Sequence, residues 1–320
     1  MTASEQHVPV LLDEVRALLR PALADHSAVV VDATLGLGGH AEALLREHPG
    51  LVLIGLDRDP TALDLARERL APYADRIHLA HVRYDALPDV LAELDLGAVD
   101  GVLFDLGVSS LQIDTAARGF AYSRDTPLDM RMDPTGGPTA ADVVNGAPEP
   151  ELARILREYG EERYAPRIAA AIVRERAVQP FDHSLRLAEL VAATVPRGHG
   201  RPRSGHPAKR TFQALRIEVN QELVALAAAL PAAIDALRVA GRIVVLSYHS
   251  LEDGIVKRAL TDAATDHTPS DLPVLLPEYA PTLRMLSRGT TRAGEAEASA
   301  NPRSASVRLR AAERVRTEAA

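Results

Sequence analysis

Three closely spaced glycines, Gly36, Gly38 and Gly39, mark the segment of this sequence with the clearest chemical meaning. They follow a β-branched run and precede a helix-forming run, and a strand, glycine turn and helix in this order bring backbone close to a nucleotide-like ligand. Glycine is needed there because a Cβ would block both the turn at positive φ and the close approach of the ligand. The glycines alone leave open whether that ligand is a dinucleotide or S-adenosylmethionine.

Carboxylates that close three predicted strands help to choose between these ligands. Asp57 follows the second strand, where either cofactor places an acid on a ribose hydroxyl. Asp32 precedes the glycines, and Asp105 ends a later strand. Because a carboxylate at position 32 attracts an ammonium or sulfonium group and repels a pyrophosphate, we favour the methyl donor. A nicotinamide-dependent oxidoreductase is the alternative enzyme.

The elements that must position these groups alternate between strands and helices, which is typical of a parallel sheet covered by helices. Strands are predicted at 28–31, 51–56, 76–80, 99–104 and 241–246, with an antiparallel edge pair at 282–286 and 306–311. The gap between the fourth and fifth strands is far longer than one crossover helix needs.

Helical patterns at 149–159, 161–178 and 185–194 occupy this gap. We therefore predict an α/β domain of residues 1–115 and 215–320. An all-helical domain, residues 116–214, is predicted to be inserted into it for substrate recognition.

Composition and charge limit the class of protein. The 320 residues are 47% hydrophobic, which supports a sizeable core, and the absence of cysteine excludes disulfides and thiolate metal sites. A net charge of −8 argues against indiscriminate coating of nucleic acid. Two local basic segments still favour contact with one polyanion. Phosphate contacts are predicted for the C-terminal arginines and for Arg197, Arg201, Arg203, Lys209 and Arg210.

Ordered blocks along nearly the whole chain resemble one family, the bacterial 16S rRNA cytosine-N4 methyltransferases known as RsmH or MraW. The blocks include HVPVLLDE at 7–14, DATLGLGGH at 32–40, DGVLFDLGVSS at 100–110, PLDMRMD at 127–133, HPAKRTFQALRI at 206–217 and HSLED at 249–253. Several such blocks in one order are far more specific than a glycine loop alone.

This resemblance implies an α/β fold: a class I, Rossmann-like methyltransferase domain that carries the inserted helical domain. It implies S-adenosyl-L-methionine as cofactor and, as acceptor, a cytidine in the decoding centre of 16S rRNA near the P site. The family's cofactor positions fall on Gly38, Gly39, His40, Asp57, Tyr84, Asp105 and Gln112. The expected partner is the small ribosomal subunit, with a homodimer as a possible assembly. We expect a cytoplasmic protein without a membrane segment.

Candidate catalytic groups follow the fourth and fifth predicted strands. Asp105 is the first candidate for accepting a proton from the target nitrogen, although the resemblance also makes it a cofactor contact. Ser109 either binds the base or caps a turn, and His249 either moves a proton or is a structural hydrogen-bonding group. No metal is predicted, because methyl transfer needs none. A non-catalytic RNA-binding factor with this fold is disfavoured by the intact acids and glycines.

Overall fold

The computed structural model describes residues 9–24, 27–196, 206–269, 276–287 and 289–316. The chain divides into two compact units. The first combines Met1–Gly107 with Leu223–Ala320, and the second spans Val108–Glu222. The boundaries expected for an inserted domain, 116 and 214, both lie within the second unit. Assignment of the second unit to substrate recognition stays a prediction.

A seven-stranded sheet forms the centre of the first unit. Its strands are β1 (Val29–Asp32), β2 (Val52–Asp57), β3 (Ile77–His81), β4 (Val99–Asp105), β5 (Leu237–Ser247), β6 (Leu283–Met285) and β7 (Arg308–Arg314). Their order is β3-β2-β1-β4-β5-β7-β6. The first five strands are parallel, and β7 runs antiparallel to both β5 and β6. The predicted parallel sheet with an antiparallel edge pair is confirmed.

The central strands are buried on both faces because their residues are almost continuously apolar. Val31 and Phe104 enter one apolar cluster, whereas Val30 and Leu103 enter another. Successive side chains of a strand point to opposite faces, so these clusters cover the two sides of the sheet. The order reverses between β1 and β4, and ligands of such sheets bind outside the carboxyl ends of the strands at that switch point.

Helices connect and cover these strands and make up most of the second unit. They are α1 (Leu12–Leu19), α2 (Gly39–Glu47), α3 (Pro60–Arg69), α4 (Leu87–Glu93), α5 (Ser110–Asp114), α6 (Ala140–Gly146), α7 (Glu149–Glu158), α8 (Ala165–Arg176), α9 (Ser184–Thr194), α10 (Lys209–Asn220), α11 (Glu222–Asp235), α12 (Ser250–Ala263) and α13 (Glu295–Ala300). In the described part of the chain, no single helix is long and apolar enough to cross a membrane. Only α10 and α11 taken together, as a bent pair, meet that length and composition.

The second unit has its own apolar core, to which α6 to α10 contribute. The three helices predicted there are present as α7, α8 and α9, although α8 begins four residues later than expected, with Pro166 in its first turn. Asn220 at the end of α10 ties that helix to the loop before α6. Its amide donates to Met130 O at 2.7 Å, and its Oδ1 accepts from Met132 N at 2.7 Å. These bonds explain why the second unit extends beyond residue 214.

Candidate cofactor and active site

The glycine loop turns the chain from the end of β1 into α2. Gly36 and Gly38 have φ of 53° and 74°, in the left-handed region that glycine occupies without strain. Gly38 is also the N-cap of α2. A Cβ on Gly39 would lie 2.6 Å from Pro9 Cγ, which is too close for any larger residue without movement of the chain. The loop therefore presents bare backbone at the switch point.

Asp57, at the end of β2, holds the glycine loop from the neighbouring strand. Its Oδ2 accepts a hydrogen bond from Gly36 N at 2.7 Å, and its Oδ1 accepts one from Asp59 N at 2.8 Å. Burial raises the pKa of this carboxyl, while the two backbone donors act in the opposite direction. The carboxylate is thus fixed in place beside the loop, where the sequence predicts a ribose contact.

Asp32, at the end of β1, is an acid almost without solvent contact. Its side chain is 1% exposed, and burial raises its pKa to about 7. His40 and the bond from Thr34 N lower the pKa, whereas the charges of Asp105 and Asp57 raise it further. The negative charges of Asp105 and Asp57 close to the buried Asp32 favour a cation beside it.

Asp105, at the end of β4, is held by groups from two other strand ends. Tyr248 Oη donates to its Oδ1 at 2.6 Å, and its own backbone N donates to Thr34 Oγ1 at 2.6 Å. The Tyr248 ring packs closely over Gly107, where φ is 94° and an added Cβ would lie 3.3 Å from the ring. The carboxylate is therefore oriented before any ligand arrives.

His40, in the first turn of α2, faces the other oxygen of Asp105. Its Nε2 lies 3.6 Å from Asp105 Oδ2, and the residue is 5% exposed. Neither ring nitrogen has a hydrogen-bond partner among the residues that the structure describes. Buried polar atoms are rarely left in this condition, so these nitrogens fit a role in binding a ligand.

Tyr84 lies in a short 3₁₀ turn, Tyr84–Ala86, that follows β3. Its ring contacts Phe104 edge to face, with centroids 5.7 Å apart. It is half-buried against the apolar cluster that covers one face of the sheet. The ring can form a fixed wall for a planar group, as predicted, and it also contributes to the core.

His249 serves as the N-cap of α12, which is the structural alternative considered from the sequence. Its Nδ1 accepts from Glu252 N at 3.4 Å, and its Nε2 lies 3.1 Å from Glu252 Oε1. The ring is thus engaged in capping, and a catalytic role for it stays a prediction.

Within the described residues, no group of three or more His, Asp or Glu side chains could hold a metal ion.

Ser109 and Gln112 belong to the second unit and cap α5. Gln112 N donates to Ser109 Oγ at 3.3 Å, and Ser109 N donates to Gln112 Oε1 at 3.1 Å, which is a reciprocal capping box. Gln112 is 5% exposed. The functional roles that the sequence suggests for these two residues stay predictions.

The predicted RNA-binding residues divide into described and undescribed groups. Lys209 and Arg210 are exposed at the start of α10, and Arg210 Nη1 donates to Glu161 O at 2.7 Å. The other members, Arg197, Arg201 and Arg203, lie outside the described residues.

Two of the C-terminal arginines predicted to contact phosphate are buried instead, so that prediction is wrong for them. Arg310 is 8% exposed and pairs with Asp253 through bonds of 2.7 and 3.2 Å. Arg314 is 3% exposed and donates to Ile234 O at 2.6 Å. Both arginines lie on β7, and they reach α11 and α12 because β7 pairs antiparallel with β5. The basic composition of the segment does not predict this pairing.

Tyr248 is the residue of this site that the sequence reasoning missed. In the register between β4 and β5, Asp105 lies beside Leu246, and Tyr248 follows two residues later. The available signal was its position just after a strand that neighbours β4. That neighbour relation is a property of the sheet order and is not visible in the local sequence.

The arrangement of glycine loop, strand-end carboxylates and buried histidine agrees with a comparison with known proteins. Residues 4–315 match the model of the MraW methylase family. The chain belongs to this family. The family assignment makes it a methyltransferase and confirms the class I methyltransferase interpretation of the sheet.

Three relatives that share one name are similar to this chain over most of their lengths. "Ribosomal RNA small subunit methyltransferase H" of Saccharopolyspora erythraea is 62% identical over 98% of this chain and 95% of its own. The proteins of the same name from Salinispora arenicola and Thermobifida fusca are each 63% identical over 97% of this chain, and over 83% and 94% of their own lengths.

S-adenosylmethionine is the cofactor of this methylase, and the residues present fit it. A Cβ on Gly36 would meet only Thr34 O at 3.9 Å, so the backbone is open to a ligand there, and Asp57 offers a carboxylate for hydroxyl groups. The buried Asp32 and the half-buried Asp105 suit a positively charged ligand.

Proposed function

We propose that this MraW-family methylase transfers a methyl group to the exocyclic N4 of a cytidine in 16S rRNA, in the decoding centre near the P site. The names of its relatives support small-subunit rRNA as the substrate. The observation that carries the chemistry is the Asp105 carboxylate, held by Tyr248 at the switch point of the sheet. A held acceptor at this position suits a reaction that must remove a proton from an amino group.

The cofactor contacts that we propose follow the predicted positions. Gly38, Gly39 and His40 hold the methionine end, Asp57 holds the ribose, and Tyr84 lies against the adenine, with Gln112 as a further contact. When bound, S-adenosylmethionine supplies an electrophilic methyl group on a positively charged sulfur. Asp32 and Asp105 stabilise that charge in a site with little water, where such interactions are strong.

Asp105 is the group to which we assign the proton of the target nitrogen. The lone pair of a cytosine amino group is delocalised into the ring, so an acceptor for its N–H makes the nitrogen a better nucleophile. Tyr248 donates to Oδ1, and we assign the proton to Oδ2, the oxygen that faces His40. Help of this kind is typically worth about 10²–10⁴-fold in rate.

Structural roles are favoured for the other two catalytic candidates. His249 and Ser109 are each engaged as helix caps, at α12 and α5 respectively. Capping explains both residues without any contact to substrate.

The substrate that we propose is a cytidine that can leave its stack, because a base paired within a helix cannot reach the half-buried carboxylate of Asp105. The exposed side chains of Lys209 and Arg210 supply positive charge that suits an RNA backbone.

Nucleoside mass spectrometry of 16S rRNA tests this function. Deletion of the gene should remove one N4-methylated cytidine, and the wild-type gene should restore it. Asp105→Ala should fail to restore it, whereas the exposed-site control Asp64→Ala should restore it fully. An N4-methylcytidine content that is unchanged by deletion would contradict the proposed function.

A further inference from the structure

A cavity in the first unit, with a volume of about 140 Å³, lies against the residue that holds Asp105. It is lined by Tyr248, Arg292, Ala305, Ser306, Val307 and Arg308. No acid is among these lining residues. The hydroxyl proton of Tyr248 is donated to Asp105, so the arginines and the Ser306 hydroxyl are the side-chain donors available to a ligand.

The two arginines give this cavity a positive charge. Arg292 is exposed and makes no ion pair or side-chain hydrogen bond with any residue in the described ranges. Arg308 shares Asp253 with Arg310, through bonds of 3.2 and 2.7 Å, so one acid serves two cations. An unbalanced positive charge therefore remains on that wall.

Two further acids act on Tyr248, and each accepts a backbone hydrogen bond. Glu252 and Glu297 both raise its pKa, after burial and Asp105. Glu252 accepts from Tyr248 N at 2.8 Å, and Glu297 accepts from Leu11 N at 2.8 Å. Glu252 also lies 3.1 Å from His249 Nε2, and neither acid lines the cavity.

We propose that this cavity binds a backbone phosphate of the substrate RNA, beside the nucleotide whose base reaches Asp105. The site rests on the proposed function and adds to it a contact that fixes the position of the strand. Guanidinium groups recognise phosphate oxygens through paired, charge-assisted hydrogen bonds. Tyr248 is common to the cavity and to the Asp105 site, so a phosphate here lies one side chain away from the reacting group.

Arg292→Ala tests the site without disturbing an ion pair. The assay is methyl transfer to small ribosomal subunits purified from the deletion strain, at several subunit and salt concentrations. We expect the KM for the subunits to rise about tenfold, with kcat unchanged, because one charge-assisted contact is lost. The slope of log KM against log salt should become shallower by about 0.7–0.9, the value for one phosphate contact.

Matched variants control for general charge effects. Arg46 is exposed on α2 and makes no ion pair with the described residues, so Arg46→Ala removes the same charge elsewhere. It should behave as wild type, whereas Arg292→Lys should recover most of the affinity. If Arg292→Ala and Arg46→Ala have the same KM and salt slope, the proposed site is overturned.

A second measurement separates RNA phosphate from a free anion. The midpoint of urea unfolding is followed with inorganic phosphate against chloride at constant ionic strength. If phosphate raises the midpoint of wild type but not of Arg292→Ala, and the KM of the variant also rises, the site is supported. If phosphate has this effect but the KM of the variant is unchanged, the assignment to RNA is overturned. If the wild-type protein transfers no methyl group, the proposed function and this site are both overturned. If the wild-type protein is active and the KM of Arg292→Ala equals that of wild type, only the site is overturned.

Discussion

Replacing Asp32 by asparagine should stabilise the ligand-free protein at alkaline pH and weaken its binding of the cationic cofactor. Asp32 is 1% exposed, and burial raises its pKa from 3.8 to about 7. Above that pH the folded protein holds a buried charge that the unfolded chain exposes to water. The residue therefore opposes folding, and its retention agrees with a role in attracting a cation.

The size of this effect on the free energy of unfolding follows from the number of protons bound by the folded and unfolded states. Between about pH 4 and pH 7 the folded protein keeps the Asp32 proton and the unfolded chain loses it, so the free energy of unfolding falls as pH rises through this window. A shift of about three units corresponds to about 4 kcal/mol, at about 1.36 kcal/mol per unit. Asparagine keeps an oxygen that can accept the bond from Thr34 N, so the variant should lose only the charge.

Urea unfolding of both proteins without cofactor, between pH 4.5 and pH 8, measures this difference. The variant should be more stable by about 2–4 kcal/mol at pH 8 and by only about 1 kcal/mol at pH 4.5. Groups common to both proteins cancel in the difference, and Asp64→Asn, at an exposed acid on α3, controls for loss of an acid alone. A stability difference that does not change with pH would refute the reasoning. Calorimetric titration with S-adenosylmethionine should show weaker binding by the variant.

Other substitutions test the supports of the site. Tyr248→Phe should lower kcat about tenfold in a methyl-transfer assay, because Asp105 loses a charge-assisted hydrogen bond; an unchanged kcat would show that this bond does not orient it. Asp253→Ala should lower the free energy of unfolding in urea by about 3–5 kcal/mol, since Arg310 stays buried without its partner; a loss below about 1 kcal/mol would contradict this. Gly38→Ala should lower the free energy of unfolding by about 1–2 kcal/mol, because alanine is strained at this positive φ, and it should weaken cofactor binding. An unchanged affinity for the cofactor would contradict this prediction.

The parallel strands could be predicted because their signals are local. The run of β1 is apolar and β-branched, and an acid marks where each of β1, β2 and β4 ends. The start of β5 could not be placed in this way. The strand begins at Leu237, four residues before the predicted start, and its pairing with β4 shifts register near Gly241. Ala240, with φ of 68°, lies in that irregularity, and such a break resembles a turn when only the sequence is known.

Site features that depend on contacts between residues far apart in the chain could not be predicted from the sequence. The bond from Tyr248 to Asp105 joins residues 143 positions apart and requires β5 to lie beside β4. The burial of Arg310 likewise requires β7 to insert between β5 and β6. Composition identified these residues as an aromatic and a cation, but only the tertiary fold decides whether each meets solvent, another side chain or a ligand.

The discontinuous first unit imposes an order on folding during synthesis. A ribosome completes β1 to β4 and then makes the whole of Val108–Glu222 before β5 emerges to cover the open edge of β4. Chains are elongated at about 5–20 residues per second, so this half-sheet waits for seconds with an exposed apolar strand. Strand β6 waits further for β7, because β7 lies between it and β5. The β4 edge of the nascent chain therefore stays without its β5 partner until the second unit has been synthesised.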